Sequence, residues 1–146
     1  MEKRKMTKTV LAVMLLLCLL TALPMAKAQD LRGKTNALIG RIQSDGVVRN
    51  SSNMQIGKIE SNGVVRDQSN RQIGKIESNG VVRDQSNRQI GKVESNGVVR
   101  DQSNRQIGKI DSNGAVRNSS NTQIGSAQGV KQEWAAAAFF FFFDIN

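Results

Sequence analysis

The sequence predicts an all-β fold: a closed ring of five β-hairpins, with an apolar C-terminal segment packed as a plug. Three observations predict it. A 17-residue unit repeats through the middle of the 146-residue chain. Each unit carries Asn-Gly or Asp-Gly between β-branched residues, the strongest short-range hairpin signal. All the aromatic side chains, one Trp and five Phe, sit in one short tail.

Residues 1–28 read as an export signal. Lys3, Arg4, Lys5 and Lys8 precede the apolar run Val10–Leu23, Pro24 breaks it, and Ala26-Lys27-Ala28 offers small residues flanking one position. That order is a secretory signal peptide, with cleavage expected after Ala28. A run of about 14 residues falls short of the roughly 20 that span hydrocarbon, so no transmembrane segment is expected in the mature chain. The mature protein, residues 29–146, is then one domain, secreted or periplasmic. The signal also changes the charge. The full chain carries +9, but residues 29–146 hold 16 Lys and Arg against 11 Asp and Glu, or +5. The lone Cys18 leaves with the signal.

Ile-Gly recurs at Ile39, Ile56, Ile73, Ile90, Ile107 and Ile124, which delimits units 39–55, 56–72, 73–89, 90–106 and 107–123. In each, Asp45-Gly46, Asn62-Gly63, Asn79-Gly80, Asn96-Gly97 or Asn113-Gly114 makes the turn. A type I′ turn would suit that pair, since both central residues then need positive φ. Ile56 and Ile59 are three apart and break strict alternation, which a bulge near Gly57 would reconcile. Asn53, Asn70, Asn87, Asn104 and Asn121 recur between units and suit the polar connections. Seventeen residues are too few for a propeller blade. A β-solenoid remains the rival, although its corners do not require Asn-Gly. A ring removes exposed sheet edges, and the leftover Ile124-Gly125 suits a last strand that meets the first.

The repeated Ile-Gly-Lys-Ile-Glu-Ser-Asn-Gly-Val-Val-Arg-Asp, followed by Glu-Trp-Ala-Ala-Ala-Ala-Phe-Phe-Phe-Phe-Phe, resembles the five-fold β-flower family over roughly Leu38 to Phe143. Those are small secreted bacterial proteins, mostly of Bacteroides-like bacteria, without an assigned activity. The resemblance implies a five-petalled β architecture closed by the C-terminal segment. It carries over no catalytic residues.

The tail, residues 130–146, contains the only Trp, Trp134, then Ala135–Ala138 and Phe139–Phe143. Ten apolar residues are too few for a bilayer and suit a buried element. Four Ala favour helix and five Phe favour strand, so both types remain open. The repeats supply only small aliphatics, and an exposed Phe run would invite association. Both considerations place the tail in the core.

The same inventory limits the chemistry. Without His there is no Ser-His-Asp or Cys-His site. The Glu60/Asp67-type carboxylate pairs sit on repeated short hairpins and mark no unique cleft for a glycosidase. The Asp of that pair is Asn50 and Asn118 in the outer units, which weakens a repeated calcium site. The turn glycines lack a phosphate-loop pattern. No enzyme activity, cofactor or metal site is therefore expected, and nucleic acid is disfavoured because no aromatics interleave with the basic residues. The candidate ligand-binding residues are Arg49, Arg66, Arg83, Arg100 and Arg117, one per unit, which could hold a glycan or another anion. Against that stands a cross-strand ion pair or hydrogen bond with Asp67, Asp84 or Asp101, or a solvated face. The main expectation is a structural or interaction module whose partner, a glycan or a protein, the sequence does not name. The alternative is a ligand-binding module acting through the arginines.

Overall fold

The computed structural model describes residues 28–145. The expected export signal lies outside them, apart from Ala28. Twelve short strands follow in order: β1 (Ala28–Gly33), β2 (Leu38–Gln43), β3 (Val47–Asn50), β4 (Gln55–Ile59), β5 (Val64–Asp67), β6 (Gln72–Ile76), β7 (Val81–Asp84), β8 (Gln89–Val93), β9 (Val98–Asp101), β10 (Gln106–Ile110), β11 (Ala115–Asn118) and β12 (Gln123–Ser126). Each pairs antiparallel with its chain neighbours, and β1 pairs with β12, so the sheet is a closed barrel. The ring reading holds and the solenoid does not.

The five expected hairpins are β2–β3, β4–β5, β6–β7, β8–β9 and β10–β11, here petals 1 to 5. A sixth petal joins the two ends of the described chain. Its first strand is β12 and its second is β1, with Gly33 opposite Gly125 and Arg32 opposite Ser126. The register copies petal 2, where Asp67 faces Gly57 and Arg66 faces Lys58. The barrel is therefore pseudo-sixfold, with five petals contiguous in sequence and one split.

Within each petal the side chains divide cleanly. Ile59 and Val65, with their copies in petals 1 and 3 to 5, point inward and are buried, and Leu31 does so from β1. Lys58 and Arg66 alternate with them on the outer wall, as strand geometry requires. The expected bulge is present. Gln55 faces Arg49 and Gly57 faces Val48, which leaves Ile56 as the extra residue. That shift lets Ile56 lean on the core although it is three residues from Ile59.

The hairpin turn differs from the type I′ expectation. Only Gly63 has positive φ (90°); Asn62 does not. Glu60 N–H donates to Val64 O, and Gly63 N–H donates to Glu60 O. This is a three-residue loop, with a type I turn followed by a left-handed residue, which also follows right-handed strand twist. The Asn62 side chain accepts from Val64 N–H at 3.1 Å. A side chain at Gly63 would also overlap Ile76 O of the next petal. The connections between petals use the same loop with Asn70, φ 64°, as the left-handed residue. Asn tolerates that region better than most residues.

The tail is helical and threads the barrel. Helix α1 (Gln132–Ala136) passes into a π-helical turn, Ala137–Phe141, in which Phe142 N–H donates to Ala137 O. Ala135 to Ala138 are essentially inaccessible and lie among the inward Ile and Val side chains. A lumen already filled by aliphatics from the wall leaves room on its axis for little more than methyl groups.

Candidate functional site

The most repeated chemistry lies on the outer wall. Arg66 Nε donates to Glu60 Oε1 at 2.7 Å rather than to the expected Asp67, which the loop's Arg71 engages, and its Nη1 donates to Asn70 O at 3.2 Å. Arg83 with Glu77 (2.6 Å), Arg100 with Glu94 (2.7 Å) and Arg117 with Asp111 (2.8 Å) repeat the arrangement. Arg49 keeps the carbonyl contact, to Asn53 O at 3.0 Å. Gln43 stands where the other petals have an acid, and Arg49 has no ion pair among the described residues. The five arginines do not converge on one pocket. They diverge around the barrel, one per petal.

A sixth arginine belongs to the set. Arg32 on β1 donates to Asn36 O at 3.0 Å and pairs with Asp30 at 2.7 Å. Its Arg-x-x-x-Asn spacing matches Arg66 and Asn70, and that was the available sequence signal for the split petal.

Cross-strand register places a second cation opposite each arginine of petals 1 to 5. The pairs are Arg41 with Arg49, Lys58 with Arg66, Lys75 with Arg83, Lys92 with Arg100 and Lys109 with Arg117. Arg41 contacts Asp30 and Lys109 approaches Asp111, whereas Lys58, Lys75 and Lys92 make no ion pair among the described residues. Like charges directly opposite on a sheet destabilise it.

The connecting loops are internally satisfied. Asp67 Oδ1 accepts from the backbone N–H of Ser69 and Arg71, and Oδ2 accepts from the Arg71 side chain. The Arg71 backbone N–H contributes most to holding the Asp67 carboxyl below its ordinary 3.8, and Asp84 and Asp101 behave alike through Arg88 and Arg105. Asn50 and Asn118 make the same backbone contacts without the charge. The recurring Asn of the loop thus provides the backbone conformation, while the residue three before it provides the side-chain acceptor.

At the far side of the barrel from these loops, α1 enters among the hairpin turns. The Trp134 ring lies beside Gly46, Gln132 Nε2 donates to Ile110 O at 3.3 Å, and Lys131 Nζ sits 4.9 Å from the Trp134 ring centroid. No group of three or more metal-ligating side chains is assembled among the described residues.

Closed antiparallel hairpin repeats, a split closing petal and a threaded C-terminal helix define a plugged β-repeat barrel, with an Arg–acid pair as its recurring surface feature. The chain belongs to the 5-fold β-flower protein family, whose model matches residues 28–143. The match takes in β1, and with it the sixth petal, as well as the Phe run. Neither the curated proteins nor the solved structures searched contain a match.

Proposed function

We propose that the protein is an exported, non-catalytic binding module for a polyanionic glycan, engaged through the rows of paired cations on the barrel wall. One observation carries this reading. Five petals each set two cations directly across from one another, and although an acid pairs with at least one of each two, Arg49, Lys58, Lys75 and Lys92 are left without an ion pair among the described residues beside a like charge. Such repeated violations mark function more often than stability. A bound sulfate or carboxylate would relieve the repulsion. Each arginine already fixed by a carbonyl has donors left for a planar anion. The closed ring repeats the motif at regular spacing, which suits a polymer with a repeating charge and allows avidity.

The wall also speaks against burial in lipid. Its strands have four to six residues, fewer than the 9–11 a membrane strand needs, and it carries Lys, Arg and Glu outward. No helix among the described residues is long and apolar enough to cross a membrane. Export rests on the sequence of residues 1–28. Cleavage after Ala28 would remove only the first residue of β1 and keep Gln29–Gly33 paired.

The test is an array of sulfated, uronate and neutral glycans, probed with residues 29–146. Binding to the anionic members should weaken with salt, and both Lys75→Gln/Lys92→Gln and Arg83→Ala/Arg100→Ala should reduce it. The lysine variant breaks no ion pair, so it separates lost binding from lost folding. An array without signal, or signal that both variants retain, refutes the proposal.

A further inference from the structure

The wall repeats, but the rim of hairpin turns does not, because the tail furnishes one place on it with an aromatic side chain. Trp134 stands between two adjoining clefts, of about 420 and 470 Å³. Both are lined by Glu60, Ser61, Asn62, Lys131 and Trp134. One extends to Glu77 and Glu133, the other to Asp45 and Lys58. The volumes fall within the usual range for small-ligand sites. The same Glu-Ser-Asn turn recurs in petals 2 to 4. The groove lined by Asn79, Lys92, Glu94, Ser95 and Asn96 offers the same polar groups without an aromatic plane.

From this we infer that the Trp134 clefts form a single binding subsite for a neutral pyranose. Three features select that ligand class. A half-buried indole, anchored at one edge against Gly46, offers a fixed plane on which the C–H face of a sugar ring can stack once the exposed Lys131 side chain, whose Nζ lies 4.9 Å from the ring centroid, swings aside. Carboxylates and the Ser61 and Asn62 side chains surround the plane, and carboxylates accept hydrogen bonds from hydroxyls. Glu60 and Glu77 are paired with Arg66 and Arg83, and Asp45 and Glu133 balance Lys58 and Lys131, so the clefts carry no excess of cations to select sulfate or uronate. The subsite thus differs in ligand chemistry from the cation rows; it borders petal 2's pair through Lys58 and Glu60 and petal 3's arginine through Glu77, but includes neither Lys75 nor Lys92. Glu133 is exposed on α1 and makes no ion pair among the described residues, so its carboxylate is free for a ligand.

The chain has no Tyr and only this Trp, so its indole fluorescence reports on the subsite alone. Residues 29–146 are titrated with maltose, cellobiose, lactose and N,N′-diacetylchitobiose, and with a heparin-derived disaccharide. At least one neutral sugar should give a saturable change in Trp134 emission, and the heparin disaccharide none. Calorimetry with that neutral sugar should show binding about fivefold weaker or worse in both Glu133→Ala and Trp134→Phe, with each variant's melting checked against the parent. Lys75→Gln/Lys92→Gln should leave it unchanged, so failure of the cation-row reading and failure of this one are distinguishable. Silence toward every neutral sugar overturns the inference. So does a response to the heparin disaccharide alone, or binding that both Glu133→Ala and Trp134→Phe retain.

Discussion

The wall of the barrel and its plug solve the same geometric problem with opposite kinds of sequence. The wall is built from 17-residue units of varied composition, repeated almost without change. The plug is built from single residues repeated without interruption. The structure shows why the two go together. Phe139, Phe140, Phe141, Phe142 and Phe143 lie against Gly125, Gly108, Gly91, Gly74 and Gly57 in turn, one ring to each Ile-Gly glycine of five successive petals. A Cβ on any of those glycines would overlap the phenyl ring. An α-helix advances about 100° per residue, whereas six petals stand roughly 60° apart, and widening to i→i+5 hydrogen bonds lowers the advance. Equivalent pockets met by consecutive residues call for the same side chain each time. Petal 1 is the exception: at Gly40 the neighbouring side chain is Leu31 of β1, where the contiguous petals carry Val.

The sharpest way to break this correspondence is to remove the plug. Deleting residues 134–146 should abolish cooperative thermal unfolding followed by circular dichroism; a soluble truncation that melts cooperatively would show that the wall stands alone. Next come single contacts. Phe141→Ala should destabilise by about 3 kcal/mol in denaturant unfolding, the low end for a buried Phe because this ring is partly exposed. Gly91→Ala should cost at least as much, and removing the Phe141 ring should rescue it only in part, since the new Cβ also meets Arg100 O.

Acid should act more gently, and on the wall. The carboxyls of Asp67, Asp84 and Asp101 titrate below their ordinary 3.8 when folded. Their contribution is thus present above the unfolded value and lost as pH falls through the folded one. Melting temperature should fall as pH drops from about 5 into that range. Asp67→Asn/Asp84→Asn/Asp101→Asn should flatten the fall while keeping the loops, as Asn50 and Asn118 already do. The smallest effect belongs to the half-exposed ion pairs: Glu77→Gln should cost no more than about 1 kcal/mol in the same unfolding assay.

Much of the wall was legible in the sequence because each unit states its turn, its inward pair and its bulge locally, and five copies average out ambiguity. Closure was legible from the leftover Ile124-Gly125. The β1 half of the sixth petal was harder, since Leu31, Gly33 and Ala37 replace Val, Asp and Arg, leaving only Arg32 and Asn36 of that half in step. The helical plug was unreadable from propensity because Ala and Phe pull in opposite directions; the lumen decides it. The arginines were legible as a set, but the opposed lysines emerge only from the register within each petal, which the three-residue hairpin loop sets. Trp134 was visible as unique, whereas the clefts beside it depend on where α1 meets the rim.

The pairing of one phenyl ring with one petal has a consequence for the gene. Units 56–72 and 73–89 are identical, and tandem identical segments are prone to gain or lose copies when DNA recombines. Such an event changes the circumference of the barrel by one petal and leaves the tail one aromatic codon out of step. Copy number in the repeat and length of the Phe run are therefore expected to change together across natural variants, two separated stretches of coding sequence held to one count.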